Sequence, residues 1–343
     1  MKRIFSLFLL FYFVGLCLFS CQSSSSDYQV YEGSVFHTYF RMVYKGDRSL
    51  QKVIDKALEE VNASANAFDS TSLLYAINHN QTEQADSMLL HLISLAREVS
   101  TLSQGAYDVT AAPLINAWGF GFSAPIEMTL SRVDSLLSFV GMDKLQIEGM
   151  RVVKKDPRVM LNLSSIAKGF ASDWVAVALE REGVENYMIE IGGEIAYKGV
   201  NPNGMAWSIG LSKPIQDSLV VDPTLDMEAV LKLSGKGGLA TSGNYRNYKK
   251  DSKSGRIYGH TVSPITGYPV QQDVLSATVL APTAALADAL ATAFMAVGSQ
   301  KAQAMAQSLP RVEYFLILPG AREGTFETLI SPGLKHSITD FED

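Results

Sequence analysis

Strand-like and helix-like patterns follow one another in this chain without a regular β-α-β alternation, and that irregularity constrains the fold most. A regularly alternating chain builds a parallel sheet, whereas a mixed one folds as α+β with antiparallel pairing dominant. Val35 to Tyr44, rich in β-branched and aromatic residues, predicts the first strand. Asp47 is placed to cap a helix running to about Asn66, with Val53, Ala57, Leu58 and Val61 on one face. Thr82 opens another, in which Met88, Leu89, Leu92, Ile93, Ala96 and Val99 recur at helical spacing. Thr129 caps a helix through Val140, and Ala167 to Glu182 forms the next. Tyr187 to Val200 reads as a hairpin turning at Gly192-Gly193. Trp207 to Lys213, Ala229 to Leu233, Ile257 to Val262 and Val274 to Leu280 read as further strands. A late helix from Thr283 to Val297 is followed by a second, and Tyr314 to Leu318 supplies a last inner strand.

At about 150 residues per domain, 343 residues suggest two lobes, or one large domain with an elaborated cleft. Hydrophobic residues are 47% and charged residues 19%, which excludes a disordered tail protein or a coiled coil. Lys+Arg 29 against Asp+Glu 35 gives a net charge of -6, with no basic patch to attract a nucleic acid. Cys17 and Cys21 are the 2 cysteines, so the body can form no disulfide, thiolate nucleophile or Cys-ligated metal site. Lys2 and Arg3 precede the apolar run Ile4 to Phe19, the pattern of a secretory signal over 1–20. The boundary Leu18-Phe19-Ser20-Cys21 resembles a bacterial lipobox, with Cys21 as the lipidated first residue; the alternative is an uncleaved anchor with an incidental cysteine. A Ser-rich tether over 21–33 then leads to a body over 34–343. The expected address is therefore exported: a membrane-anchored lipoprotein facing the periplasm.

Four constellations in the body can carry chemistry. Asp288 and Thr292 stand four apart on a predicted helix, so both leave the same face. A carboxylate and a hydroxyl form a hard-oxygen pair suited to Mg²⁺. The same pair is also accounted for by an Asp favoured near a helix N-terminus and a Thr bonded back to its own backbone. His260, at a strand end before Ser263-Pro264, can serve as general base or phosphate ligand, or stand solvated in a turn. Thr241 to Tyr248 offers hydroxyls, amides and the aromatic Tyr245 to a polar ligand, or is a turn and surface strand. Asn162 to Gly169 is a strand-to-helix corner that can meet an anion or metal, or be capped by Ser164 or Ser165. Neither a Rossmann G-x-G-x-x-G nor a P-loop is present.

Taken in order, eight short segments resemble the FAD:protein FMN transferases, the ApbE family, from about Val35 to about Leu318. They are Phe36-His37-Thr38-Tyr39, Gly105 to Thr110, Pro113 to Gly121, the corner ending Ala167 to Asp173, Ile191 to Glu194, Thr241 to Arg246, His260 to Gly267, and Ala287 to Thr292. The resemblance implies a two-lobed mixed body, with largely antiparallel sheets around an FAD cleft. It implies a Mg²⁺-dependent reaction in which FAD is split, FMN is joined to a Thr or Ser of an acceptor protein, and AMP is released. The acceptor would carry a Thr/Ser flavinylation motif, a subunit of a membrane redox complex being one candidate. By similarity Asp288 and Thr292 are metal ligands, helped by a backbone oxygen at Ser165. Phe36, Ala106, Tyr107, Asp108, Asn162, Lys168 and Val262 match FAD-contacting positions, and His260 is the candidate to take the hydroxyl's proton. Three positions depart from the family's usual Asp: Asn162, Ser263 and Ala291. Hydrolysis of FAD to FMN and AMP in the same site, or flavin storage by a non-catalytic lipoprotein, are the alternatives.

Overall fold

The computed structural model describes residues 27–121, 124–212, 227–243, 248–250, 257–322 and 325–340. The signal, Cys21, the first part of the tether over 21–26, and Tyr245 lie outside the described residues. A hairpin of β1 (Tyr28–Val35) and β2 (Thr38–Lys45) leads into helices α1 (Gln51–Ala65), α2 (Leu73–Asn78), α3 (Ser87–Leu102), α4 (Ala112–Ala117) and α5 (Leu130–Leu137). A small hairpin, β3 (Leu145–Glu148) with β4 (Arg151–Lys154), precedes α6 (Ala167–Arg181), β5 (Tyr187–Ile191) and β6 (Glu194–Lys198). Strands β7 (Trp207–Ser212), β8 (Met227–Leu233), β9 (Lys236–Gly243), β10 (Tyr248–Lys250), β11 (Ile257–Gly259) and β12 (Ser276–Ala281) follow. Helices α7 (Ala284–Val297) and α8 (Ser299–Gln307) precede β13 (Glu313–Pro319), β14 (Phe326–Ile330) and β15 (Ile338–Asp340).

Eight strands form one sheet in the order β1-β2-β5-β6-β9-β12-β13-β14, and every neighbouring pair is antiparallel. The mixed, antiparallel architecture expected from the irregular patterning is therefore present. Both faces of this sheet are covered. Met42 and Tyr44 of β2 pack with Ile54, Leu92, Ile189, Val279 and Phe294 into the main core beneath the helices. Val43, between them, points the other way and joins Ile195, Tyr197, Trp207, Leu231 and Phe315 under the smaller sheet β15-β8-β7. A strand apolar at successive positions is what burial on both faces requires.

Several boundaries move from where the sequence puts them. Val35 to Tyr44 is not one strand: Phe36 and His37 take positive φ values of 51 and 59 and form the turn of the β1–β2 hairpin. The strand β1 starts at Tyr28, so residues 28–33 pair along β2 instead of serving as tether. Asp47 does not cap α1; its N-cap is Leu50, whose N–H donates to Tyr44 Oη at 2.7 Å. Thr82 does not open α3, which Asp86 caps by accepting from Leu89 N–H at 2.7 Å. Neither Ser164 nor Ser165 caps α6, whose N-cap position is Ile166. The helix after Thr129 is capped as expected but ends at Leu137. Strand β9, central in the large sheet, is among the elements the patterning misses, with α2, β14 and β15, and its Gly237-Gly238 pair has the chemistry of a turn.

Those glycines have a steric reason. A Cβ on Gly238 would collide with the backbone of Thr283 and Ala284, where α7 begins. From the opposite side, a Cβ on Gly169 of α6 would collide with the Ala284 carbonyl. The N-terminus of α7 thus sits between a bare stretch of strand and a bare stretch of helix. One turn beyond Gly169, Asp173 accepts from Ala284 N–H at 2.9 Å and Ala285 N–H at 2.8 Å, satisfying two donors that no helix can satisfy internally. Thr283 accepts from Leu286 N–H at 3.3 Å. Gly169→Ala should therefore displace α7 or α6 and destabilise the body by about 1–3 kcal/mol, the usual cost of overpacking. Denaturant unfolding measures it, and wild-type stability in this variant would show that the two helices are not in close contact.

Candidate active site

One cleft, with a cavity volume of about 890 Å³, gathers most of the residues singled out in the sequence. Ala106, Tyr107, Asp108, Asn162, Ser165, Lys168, His260, Val262, Asp288 and Thr292 all line it. That size suits a cofactor-scale ligand. Phe36 does not line this cleft. It lies in an adjoining cavity of about 310 Å³ with Val61, Ala65 and Leu163, and Phe68, Ser164 and Lys168 border both. The hairpin turn that moved Phe36 out of the expected strand is what places it there.

Seating α7 fixes Asp288 one turn into the helix. Its carboxylate is 3% exposed and accepts from Gly169 N–H at 3.1 Å. Burial raises its pKa, opposed by the nearby Lys168 ammonium and by the Gly169 N–H. Thr292 follows on the same face, its Oγ1 3.2 Å from Ser242 Oγ of β9. The spacing of four therefore does bring carboxylate and hydroxyl into one cleft. Ala291 points elsewhere and is fully buried in the core.

Lys168, in the first turn of α6, forms an ion pair with Glu194 at the start of β6. Burial lowers its pKa, but the Asp288 and Glu194 carboxylates outweigh this and leave it raised. Burial, with Asp288 nearby, pushes the Glu194 carboxyl up to about 8 despite the pairing with Lys168. Its second oxygen, Oε2, is buried and has no hydrogen-bond partner. Glu194 is the site residue whose role sequence reasoning missed. It appeared only as the end of Gly192-Gly193-Glu194; the available signal was a charge next to the apolar run Ile195-Ala196-Tyr197.

The corner at Asn162 is held by side chains. Asn162 Oδ1 accepts from Ser164 N–H at 2.9 Å, a job the family's usual Asp would do with a charge added. Ser165 Oγ donates to Tyr107 Oη at 3.0 Å. Tyr107 is 3% exposed and its ring belongs to the main core, so it presents little open face to a flat ligand. Burial raises its pKa well above the ordinary tyrosine value, so it stays a neutral hydroxyl. Asp108 spends its carboxylate on the scaffold: it accepts from Thr110 N–H at 2.7 Å, Thr110 Oγ1 at 2.6 Å and Met142 N–H at 3.0 Å. These bonds tie the loop before α4 to the start of the next segment, and burial nonetheless raises the Asp108 pKa.

His260 follows β11 and lines the cleft beside Thr261 and Val262, the latter bridged to Pro269. Ser263 works within the turn, its Oγ accepting from Ile265 N–H at 3.3 Å and Thr266 N–H at 3.1 Å. Among the described residues, no three His, Cys, Asp or Glu side chains are grouped to hold a metal. Asp288 with Thr292 fits a hard divalent cation that completes its shell with water and phosphate. The buried excess of carboxylate over ammonium, with Glu194 Oε2 unpartnered, is the kind of environment that such a cation neutralises.

The relationships of the chain agree with this geometry. The sequence profile of the ApbE family matches residues 33–316. The FAD:protein FMN transferase of Vibrio cholerae is 36% identical over 266 residues, covering 76% of this chain and 77% of the relative. That of Haemophilus influenzae is 33% identical over 321 residues, covering 89% and 90%. Among solved structures, the flavin transferase ApbE from Vibrio cholerae superposes with a TM-score of 0.79 at 30% identity, covering 91% of this chain and 99% of that one. On fold, site and sequence together, this chain belongs to the ApbE family.

Proposed function

We propose that this protein transfers FMN from FAD to a Thr or Ser hydroxyl of an acceptor protein, forming a phosphoester and releasing AMP. The observation that carries this reading is the convergence of Asp288, Thr292, Lys168 and His260 on one cleft, in a chain of this family. The acceptor oxygen attacks the phosphorus on the FMN side. The bond from that phosphorus to the bridging oxygen breaks, and its electron pair leaves on AMP. His260 receives the proton of the attacking hydroxyl, which is a poor nucleophile at neutral pH. Lys168 places positive charge in the wall where the phosphate oxygens gain negative charge. Leu211, Leu239 and Phe315 give the same cleft an apolar side for the flat rings of the substrate. Asp288 and Thr292, with a backbone oxygen at Ser165, are the residues that would hold Mg²⁺. When bound, that ion supplies charge stabilisation on the pyrophosphate.

The same reading extends to the address. The basic-apolar start and Ser20-Cys21 support export and lipid anchoring at Cys21, with the body on the periplasmic side. No helix of the described residues is long and apolar enough to cross a membrane. Attachment would thus rest on the segment before β1.

Cys21→Ala should release the protein from membranes or leave it unprocessed; unchanged attachment at mature size in a fractionation experiment would argue against lipidation. Asp288→Asn should abolish FMN transfer, measured as covalent flavin fluorescence on an acceptor, because no other carboxylate lies on that helix. Thr292→Val should reduce it less, since water can replace a neutral ligand. Wild-type transfer by Asp288→Asn at limiting Mg²⁺ would sink the metal assignment. His260→Ala should slow single-turnover transfer roughly 100- to 10,000-fold, the range for losing a general base, while FAD affinity changes little. Weakened FAD binding with an unaltered transfer step at saturation would make His260 a ligand contact instead.

A further inference from the structure

We propose that Glu194 is a positioning residue for the cation site: by holding the Lys168 ammonium, it keeps that ammonium off Asp288 and leaves the Asp288 carboxylate open to a divalent cation. The inference rests on the metal reading of Asp288 given above.

Lys168 has two buried carboxylates within its field and is bonded to one of them. Its neighbour in sequence, Gly169, is the residue whose N–H binds Asp288 Oδ2, so the lysine backbone stands directly beside that carboxylate. The long lysine stem nevertheless carries the ammonium to Glu194 Oε1, and Lys168 and Asp288 form no ion pair. The Gly169 N–H is the one hydrogen bond to the Asp288 carboxylate among the described residues. Asp288 therefore faces the cleft with acceptor capacity left over.

Glu194 is built to hold its half of the pair. It follows the turn at Gly192 and Gly193, with φ values of 63 and 97, and opens β6. Its backbone carbonyl accepts from Ser172 Oγ at 2.9 Å, one turn along α6 from Lys168. Its side chain is 6% exposed, its Oε1 is bonded by the Lys168 ammonium, and its buried Oε2 has no side-chain donor among the described residues. Both carboxylates are pulled toward the charged form by the same lysine, so the ammonium is shared electrostatically while being bonded to one side. Removing one member of a buried pair leaves the other charge uncompensated and drives it to the next available partner. For Lys168 that partner is Asp288. A lysine seated there would occupy the oxygens a divalent cation needs and would act as its competitor.

The test is a double-mutant cycle on binding of Mn²⁺ alone, read as free Mn²⁺ by electron paramagnetic resonance on the purified full-length protein. Glu194→Gln, which preserves volume, should weaken Mn²⁺ binding about 10- to 100-fold, as losing a residue that supports a metal ligand does. Lys168→Met should alter affinity less than about threefold when Glu194 is present, yet restore it to near the wild-type value in the Glu194→Gln background. An equal gain from Lys168→Met in both backgrounds would reduce the effect to long-range charge and overturn the proposal. So would unchanged affinity in Glu194→Gln. If Glu194→Gln fails to fold, Lys168→Met alone still decides: a gain of about tenfold or more would mean the lysine already competes for Asp288. Mn²⁺ binding that survives Asp288→Asn would instead overturn the metal reading itself, whatever the cycle gives.

Discussion

Everything at the cleft depends on how closely α7 is allowed to approach its neighbours. Gly238 of β9 and Gly169 of α6 touch the same residue, Ala284, from opposite sides. Asp173 then binds the two N–H groups that the start of the helix leaves over. Any side chain at either glycine would push α7 outward and carry Asp288 and Thr292 with it. The Ala-rich composition of α7 follows from the same requirement, because small side chains let a helix buried on nearly every side lie against the sheet and α6. The helix is apolar all round except at the residues that open onto the cleft.

That seat has an electrostatic cost. Asp288, Glu194 and Asp173 all have carboxyls with pKa values raised by burial, Asp173 to about 6. Each is stabilised differently. Asp173 is held by two backbone N–H groups, Glu194 by an ammonium, and Asp288 by one N–H and the field of Lys168. Asp288 faces the cleft beside the Thr292 hydroxyl with a single hydrogen bond to its carboxylate among the described residues. An acceptor held in place but not fully neutralised is what the proposed cation site needs.

Much of this was legible in the residues. The i, i+4 relation of Asp288 and Thr292 is a property of helix geometry, and the helix itself was plain from Thr283 and the apolar run behind it. The hairpin at Gly192-Gly193 was equally plain, because paired glycines at positive φ have few other uses between two strand-like runs. Other features were not. Lys236-Gly237-Gly238 looks like a turn until α7 is known to lie on it, and local propensity favours the wrong answer there. Asp47, Ser164 and Ser165 all have the chemistry of a cap, yet the N-cap positions fall at Leu50 and Ile166, and neither helix start has a side-chain cap bond. Asp108 lines the cleft as the resemblance implies, but its bonds to Thr110 and Met142 are visible only in the fold.

The sequence by itself determined the fold class, the chemical types gathered for the reaction, and the membership of the family. Those rest on periodicity, on the order of short motifs and on residue identity, all of which are local. The tertiary structure alone decided that Phe36 sits in a side cavity, that Lys168 pairs with Glu194, and that two glycines far apart in sequence share one contact. Each of these is a relation between residues brought together by chain crossings. Distance between buried charges and free space beside a backbone are set by packing, and no local pattern encodes them.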